Sequence, residues 1–379
     1  MKIMLSAGEA SGDLHGAKLA EAIKLACPEA KLFGMGGTQM KEAGVEILQG
    51  IDELGVIGLV GGLKLVRKLF QIRKTMLAEL ASRKADALVV IDYPEYNTRL
   101  ARKAHQMGIP VIFYISPSAW AWRRGRAKDV AQISDRVASI FPFEAEVYRE
   151  AGANVTEVGH PLVDITVPKR KLEEAKIFFK IDPEKKQILM MPGSRKQEIE
   201  KLLPPMVEAA KILLMSDSNL EFFLPLASTI SESMIEEMVD LKGLPVRIVR
   251  GDTYDLISIC AAGMITSGTA SLEAALLGIP SVIIYKASAL SYVVGKMLVK
   301  IPHFGLPNIV VGEEILPELL QGAVTGQRIA AEISSWLYDE KARNLVLAKL
   351  AKMKKALGGG GAVQRTAELV LEVARKGVT

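Results

Sequence analysis

The sequence predicts an α/β protein made of two doubly wound, Rossmann-like parallel-sheet domains facing a cleft. Three observations lead there. Short apolar runs alternate with amphipathic stretches along the whole chain, which is the rhythm of βαβ units. That rhythm occurs twice, on either side of a charged, strand-poor stretch at residues 168–186. A chain of 379 residues, 49% hydrophobic and 24% charged, is long enough for two domains with a core each. The boundary is expected near residue 165, giving domains over 1–165 and 166–357. The run Gly358–Gly361 reads as a bend before a last amphipathic helix at 362–379, which is expected to complete the first domain.

The first-half strands are expected at Ile3–Ser6, Lys31–Met35, Ala87–Ile91, Val111–Ile115, Val137–Phe141 and Val155–Val158. In the second half they are Ile188–Met191, Phe222–Pro225, Val246–Val249, Gly263–Thr266 and Ser281–Tyr285. Helical periodicity fills the gaps, as at Ala17–Ala26 and Pro204–Met215. Two such sheets place ligand sites at the carboxyl ends of their strands.

Composition excludes several classes. The net charge of +5 is too mild to imply nucleic acid. Two distant cysteines and four scattered histidines form neither a disulfide framework nor a metal pattern, so neither metal nor cofactor is expected. The first residues lack the long apolar core of a signal peptide, and no run approaches the roughly 20 apolar residues of a membrane span. The reading is a cytoplasmic protein. Gly34-Met-Gly36-Gly37 lacks the third glycine of a dinucleotide fingerprint, which disfavours a dehydrogenase.

The most informative run is Ser267-Gly-Thr-Ala-Ser-Leu-Glu273, read as strand end, tight turn and helix start. Unpaired amides and the helix dipole at Ser267–Thr269 suit an anion, and Gly268 allows close backbone approach. Glu273, a turn further on, is placed to reach a sugar hydroxyl, so a sugar nucleotide fits. An ordinary helix capped by Ser267 or Thr269 reads equally well from this run alone. Met191-Pro-Gly-Ser-Arg195 repeats the strand–turn–helix form and supplies a fork-shaped cation for a leaving diphosphate.

Acidic candidates lie in the first half. In Ser6-Ala-Gly-Glu9-Ala-Ser11-Gly-Asp13, Glu9 is placed for a sugar hydroxyl and Ser11 for a phosphate, with Ser11 or Asp13 otherwise capping the helix. The strand through Ile91 ends in Asp92, whose pKa burial is expected to raise towards that of a general base; Glu95 is a second candidate. Trp120 and Trp122 stand among Arg123, Arg124 and Arg126, which suit a phosphate or lipid headgroup. Leu63, Lys64, Val66, Arg67, Lys68, Leu69 and Phe70 form an amphipathic basic stretch suited to a membrane surface, or to a core helix with a solvated face. A second such stretch is Tyr292–Ile301.

Ser6–Asp13, Ile91–Asn97, Ser116–Arg123, Gly159–Asp164, Pro192–Arg195, Ser267–Glu273 and Leu306-Pro-Asn308, in this order, resemble the lipid-A-disaccharide synthase family over nearly the whole chain. The resemblance implies the GT-B fold and an inverting glycosyltransferase of lipid A biosynthesis in Gram-negative bacteria. It would join UDP-2,3-diacylglucosamine to 2,3-diacylglucosamine 1-phosphate, giving a β-1,6 disaccharide 1-phosphate and UDP. It implies a peripheral protein, without metal, on the cytoplasmic face of the inner membrane. Carried onto these residues, Asp92 is the base and Glu9 its partner or the acceptor's guide. Arg195, Ser267, Gly268, Thr269, Glu273 and Asn308 bind the donor, and Ser11 and Arg123 the acceptor. Many relatives have Asp where this chain has Glu95, so Glu95 is not chosen as base. The expected partners are the two lipid substrates and an anionic membrane surface; a homodimer is compatible. The alternatives are another GT-B glycosyltransferase with a lipid-linked acceptor, a UDP-sugar epimerase, and a non-catalytic binding protein.

Overall fold

A computed structural model describes residues 1–51, 63–117, 125–227, 230–287 and 302–376, with the side chains of 63–65 excepted. The chain divides into two compact units, Met1–Ile165 with Gly359–Thr379, and Thr166–Gly358.

Unit 1 carries a seven-stranded, all-parallel sheet. Its strands are β1 (Lys2–Ala7), β2 (Lys31–Gly36), β3 (Glu46–Gly50), β4 (Ala87–Ile91), β5 (Val111–Tyr114), β6 (Arg136–Ser139) and β7 (Val155–Glu157). They are ordered β3-β2-β1-β4-β5-β6-β7, so the winding reverses between β1 and β4. β1 and β4 are near-continuous apolar runs because helices cover both faces. α1 (Ala10–Ala26) packs against the C-terminal helix Ala362–Lys376. Elsewhere α3 (Leu63–Arg83) packs on α4 (Pro94–Gln106), and α4 on α5 (Gly125–Ile133). Their core holds Ile72, Met76, Leu80, Leu100, Ala104 and Val130.

Unit 2 carries a six-stranded parallel sheet. Its strands are β8 (Lys186–Met191), β9 (Leu220–Pro225), β10 (Val246–Val249), β11 (Ala262–Thr266), β12 (Ser281–Tyr285) and β13 (Glu318–Leu320). The order β10-β9-β8-β11-β12-β13 reverses between β8 and β11.

The sequence missed β3 and β13. Both lie at sheet edges with a single partner strand, and neither carries the apolar run that betrays a central strand. α1 also starts earlier than the caps suggested. Glu9 is its N-cap, extended and without a side-chain cap bond, and Ser11 lies half-buried inside the first turn. Asp13 caps a different helix: its carboxylate accepts the amides of Gly37, Gln39 and Met40 at 2.7–3.1 Å, closing the start of α2 (Thr38–Glu42).

The C-terminal helix is tied to unit 1 at its first turn. Asp164 accepts the amides of Gly361 and Val363 at 2.6 and 2.9 Å, and Arg365 donates twice to the carbonyl of Val158.

Candidate functional site

Ligands of open α/β sheets bind where the strand order reverses. In unit 1 that point lies between β1 and β4, where Ala7 and Ile91 are register partners. The residues that follow them, Gly8-Glu9 and Asp92-Tyr93, are therefore brought together although they are distant in sequence. A Cβ on Gly8 would overlap the Tyr93 ring, so glycine is what allows the two turns to touch.

The backbone here is strained. Asp92 and Tyr93 both have φ of +50°, and Ile115, at the end of neighbouring β5, has +56°. Left-handed geometry is rare for non-glycine residues and most unusual for a β-branched one. It is held by a buried clamp. The Asn97 amide donates to the carbonyls of Ser6 (3.0 Å), Ile91 (3.2 Å) and Asp92 (2.7 Å), and its oxygen accepts the Ser6 hydroxyl at 2.7 Å. The Asp92 amide donates to the Ile115 carbonyl at 3.2 Å. Glu9 and Asp92 are both half-buried. Burial first, then the charges of Glu9 and Glu95, push the Tyr93 phenol above its ordinary pKa.

In unit 2 the reversal point brings together the turns after β8 and β11, whose residues Met191 and Ile265 are register partners. Gly268, with φ of +142°, caps the helix Thr269–Leu276, and the space a Cβ would enter is open. The Ser271 amide donates to the Gly268 carbonyl at 3.1 Å, and the amides of Thr269 and Ala270 before it are of the kind a helix start leaves without an i−4 partner. The hydroxyl of Ser267 is not spare: it donates to the Phe304 carbonyl at 3.0 Å. Glu273 is half-buried, accepts the Tyr254 hydroxyl at 2.9 Å, and has its pKa raised by burial.

The Arg195 turn differs from the anion cradle expected of it. Glu198 reaches back to accept the amides of Ser194 and Arg195 at 3.1 and 3.3 Å, and pairs with the Arg195 guanidinium at 3.0 Å. The chain's own carboxylate takes the turn's amides, and the Arg195 side chain is 63% exposed.

Asn308 also needs correcting. It was expected to line the donor pocket, but it is fully buried and all four of its hydrogen-bonding valences are used. Its nitrogen donates to Leu316 O and Glu318, and its oxygen accepts the amides of Ile315 and Leu316, at 2.7–3.0 Å. Glu318, which sequence reasoning passed over, also accepts the amides of Phe304 and Gly305 at 3.0 and 2.9 Å. Asn308 and Glu318 thus brace the segment that Ser267 holds.

On α3, Val66 and Phe70 are each 59% exposed, with the Arg73 guanidinium 5.3 Å from the Phe70 ring centre, and Arg67 is exposed. Leu69, expected beside them at a membrane, instead packs on the core in line with Ile72 and Met76. Lys68 is half-buried, and the side chains of Leu63 and Lys64 lie outside the described residues. So do Trp120, Trp122, Arg123, Arg124 and the stretch 292–301. Among the described residues, no helix is long and apolar enough to cross a membrane.

A family model described as lipid-A-disaccharide synthetase matches residues 3–370. The lipid-A-disaccharide synthase of Geobacter sulfurreducens is 43% identical over 100% of this chain and 98% of its own length. That of Nitrosococcus oceani is 40% identical over 97% and 95%. Among solved structures, the fold is similar to UDP-GlcNAc 2-epimerase from Neisseria meningitidis bound to UDP-GlcNAc (TM-score 0.72, 13% identity, 98% of this chain and 100% of that one). It is also similar to Acinetobacter baumannii MurG (TM-score 0.59, 14% identity, 98% and 99%). At such identities these structures speak for the GT-B fold, and the full-length relatives for the family. The chain belongs to the lipid-A-disaccharide synthase family of glycosyltransferases.

Proposed function

We propose that this chain transfers 2,3-diacylglucosamine from UDP to the 6-hydroxyl of 2,3-diacylglucosamine 1-phosphate, releasing UDP and a β-1,6 disaccharide 1-phosphate. Unit 2 takes the donor. The amides after Gly268 and the Arg195 guanidinium stabilise the diphosphate as it leaves, and Glu273 takes a ribose hydroxyl. Unit 1 takes the acceptor. Asp92 removes the proton from the 6-hydroxyl, the oxygen attacks the anomeric carbon in line, and that carbon inverts. Glu9 orients the acceptor, with Ser11 and Arg123 on its polar side. The acyl chains explain Val66 and Phe70: lipid substrates are drawn from a membrane surface, which we place at the inner face of the inner membrane.

The observation that carries this reading is the strained Asp92 at the sheet reversal of unit 1, clamped by Asn97. The test is UDP release with both acylated substrates. Wild type should release UDP only when donor and acceptor are both present, and Asp92→Asn should lower kcat at least 100-fold with UDP binding intact. Near-normal turnover by Asp92→Asn removes it as base. Conversion of the donor alone would instead indicate an epimerase.

A further inference from the structure

We infer that the groove between α4 and α5 is the subsite for a phosphomonoester, the 1-phosphate of the acceptor; this rests on the reading of unit 1 as the acceptor unit. A cavity of about 300 Å³ opens there, with Glu95, Thr98, Arg99 and Arg102 on the α4 side and Arg126 on α5. Among the described lining residues, three guanidinium groups stand with two carboxylates, Glu95 and Asp129, so these residues together carry net positive charge. Arg126 donates to Glu95 at 2.8 Å, whereas Arg102 stands 3.8 Å from Asp129, beyond hydrogen-bond reach. Arg99 and Arg102 are exposed and one helical turn apart, so their guanidinium forks share one side of α4. Forked donors of this kind match the oxygens of a phosphate.

Position supports the same ligand. The cavity wall begins at Pro94, two residues after Asp92, and includes Pro117, whose carbonyl is held by the Tyr148 hydroxyl at 2.6 Å. α4 also packs on α3, the helix that exposes Val66 and Phe70. An acceptor has three chemically distinct ends: a hydroxyl, a phosphate and acyl chains. Unit 1 offers a carboxylate, a basic groove and an apolar helix face on contiguous elements.

The test measures binding of the acceptor to the intact chain in detergent micelles without donor, so no turnover is needed. Acceptors with and without the 1-phosphate are compared. Wild type should prefer the phosphorylated form at least 30-fold. Arg99→Ala/Arg102→Ala should lose at least tenfold for that form and bind the other as wild type does, and Arg99→Lys/Arg102→Lys should recover part of the loss. An unchanged preference in the double Ala variant, or equal weakening of both forms, overturns the inference. So does a loss confined to sedimentation with phosphatidylglycerol vesicles, which would make the groove a headgroup site. Phosphate-selective binding without UDP release by wild type would sink the proposed reaction and leave the subsite standing.

Discussion

The side-chain amide of Asn97 lies 2.7 Å from the carbonyl of Asp92 and ties it to the end of β1 through Ser6. Asn97 touches no solvent-facing surface, so its effect on a reaction passes through the conformation of Asp92. Asn97→Ala should lower kcat at least tenfold and leave the donor KM unchanged. Stripping partners from the buried Ser6 hydroxyl and three carbonyls should also cost about 2 kcal/mol of stability, read from urea unfolding. A kcat within twofold of wild type would show that Asp92 holds its geometry without the clamp.

Gly268 tests the donor turn. Its backbone angles belong to a region almost restricted to glycine, and a Cβ there would meet open space. Any loss in Gly268→Ala therefore comes from backbone strain of about 1–3 kcal/mol, not from a clash. UDP titration should show binding weakened roughly tenfold, and wild-type affinity would mean the turn is not used by the donor.

Glu318 is expected to act at a distance. With no cation among the three donors it accepts, its charge is balanced by the amides of Phe304 and Gly305 and by Asn308. Glu318→Gln puts a donor where only donors face it, so the segment at 304–308 should shift. The donor KM should rise several-fold while acceptor binding stays as in wild type; equal changes in both would argue for global unfolding instead.

The α3 helix separates two kinds of leucine-like position. Val66→Ser/Phe70→Ser removes exposed apolar surface, so stability should move by no more than about 0.5 kcal/mol while sedimentation with anionic vesicles falls. Leu69→Ser, which opens the core, should instead lower stability by about 1–3 kcal/mol. Undiminished vesicle binding in the double variant would remove α3 from the membrane contact.

The two buried histidines of unit 1 should make acid destabilising, opposed in part by Glu144, which burial raises to about 7 so that its protonation favours the fold as pH falls from 7 towards 4.5. Burial depresses His15 to about 4 and His160 to about 3, the second also through the neighbouring His15. Both stay neutral in the fold but protonate near 6.5 in the unfolded chain, which thus binds more protons as pH falls. The stability they permit is full above pH 6.5 and is lost as pH drops towards 4, by about 3 kcal/mol for each. Urea unfolding across that range should show the slope, and His15→Leu should flatten it, since the His15 Nδ1 has no hydrogen-bond partner to lose.

Central strands and the turns after them were legible because β1, β4, β8 and β11 carry apolar stretches followed within two residues by glycine or an acidic residue. What escaped was the internal use of polar side chains. Asn97 and Ser6 are 91 positions apart, and nothing local in either marks the pair. Asn308 was noticed through its motif and then given a ligand, when its valences were already spent on the loop around it. Glu198 shows the same limit: an anion-shaped turn is visible in sequence, but not which carboxylate occupies it.

The helix at Ala362–Lys376, capped by Asp164, has a consequence for synthesis. Everything in unit 2 leaves the ribosome before this helix does, so the first sheet waits with α1 uncovered while some 190 residues are made and folded. Unit 1 begins first and finishes last. Released chains truncated after residue 358 should therefore hold a native second unit beside a first unit still open to proteases and chaperones.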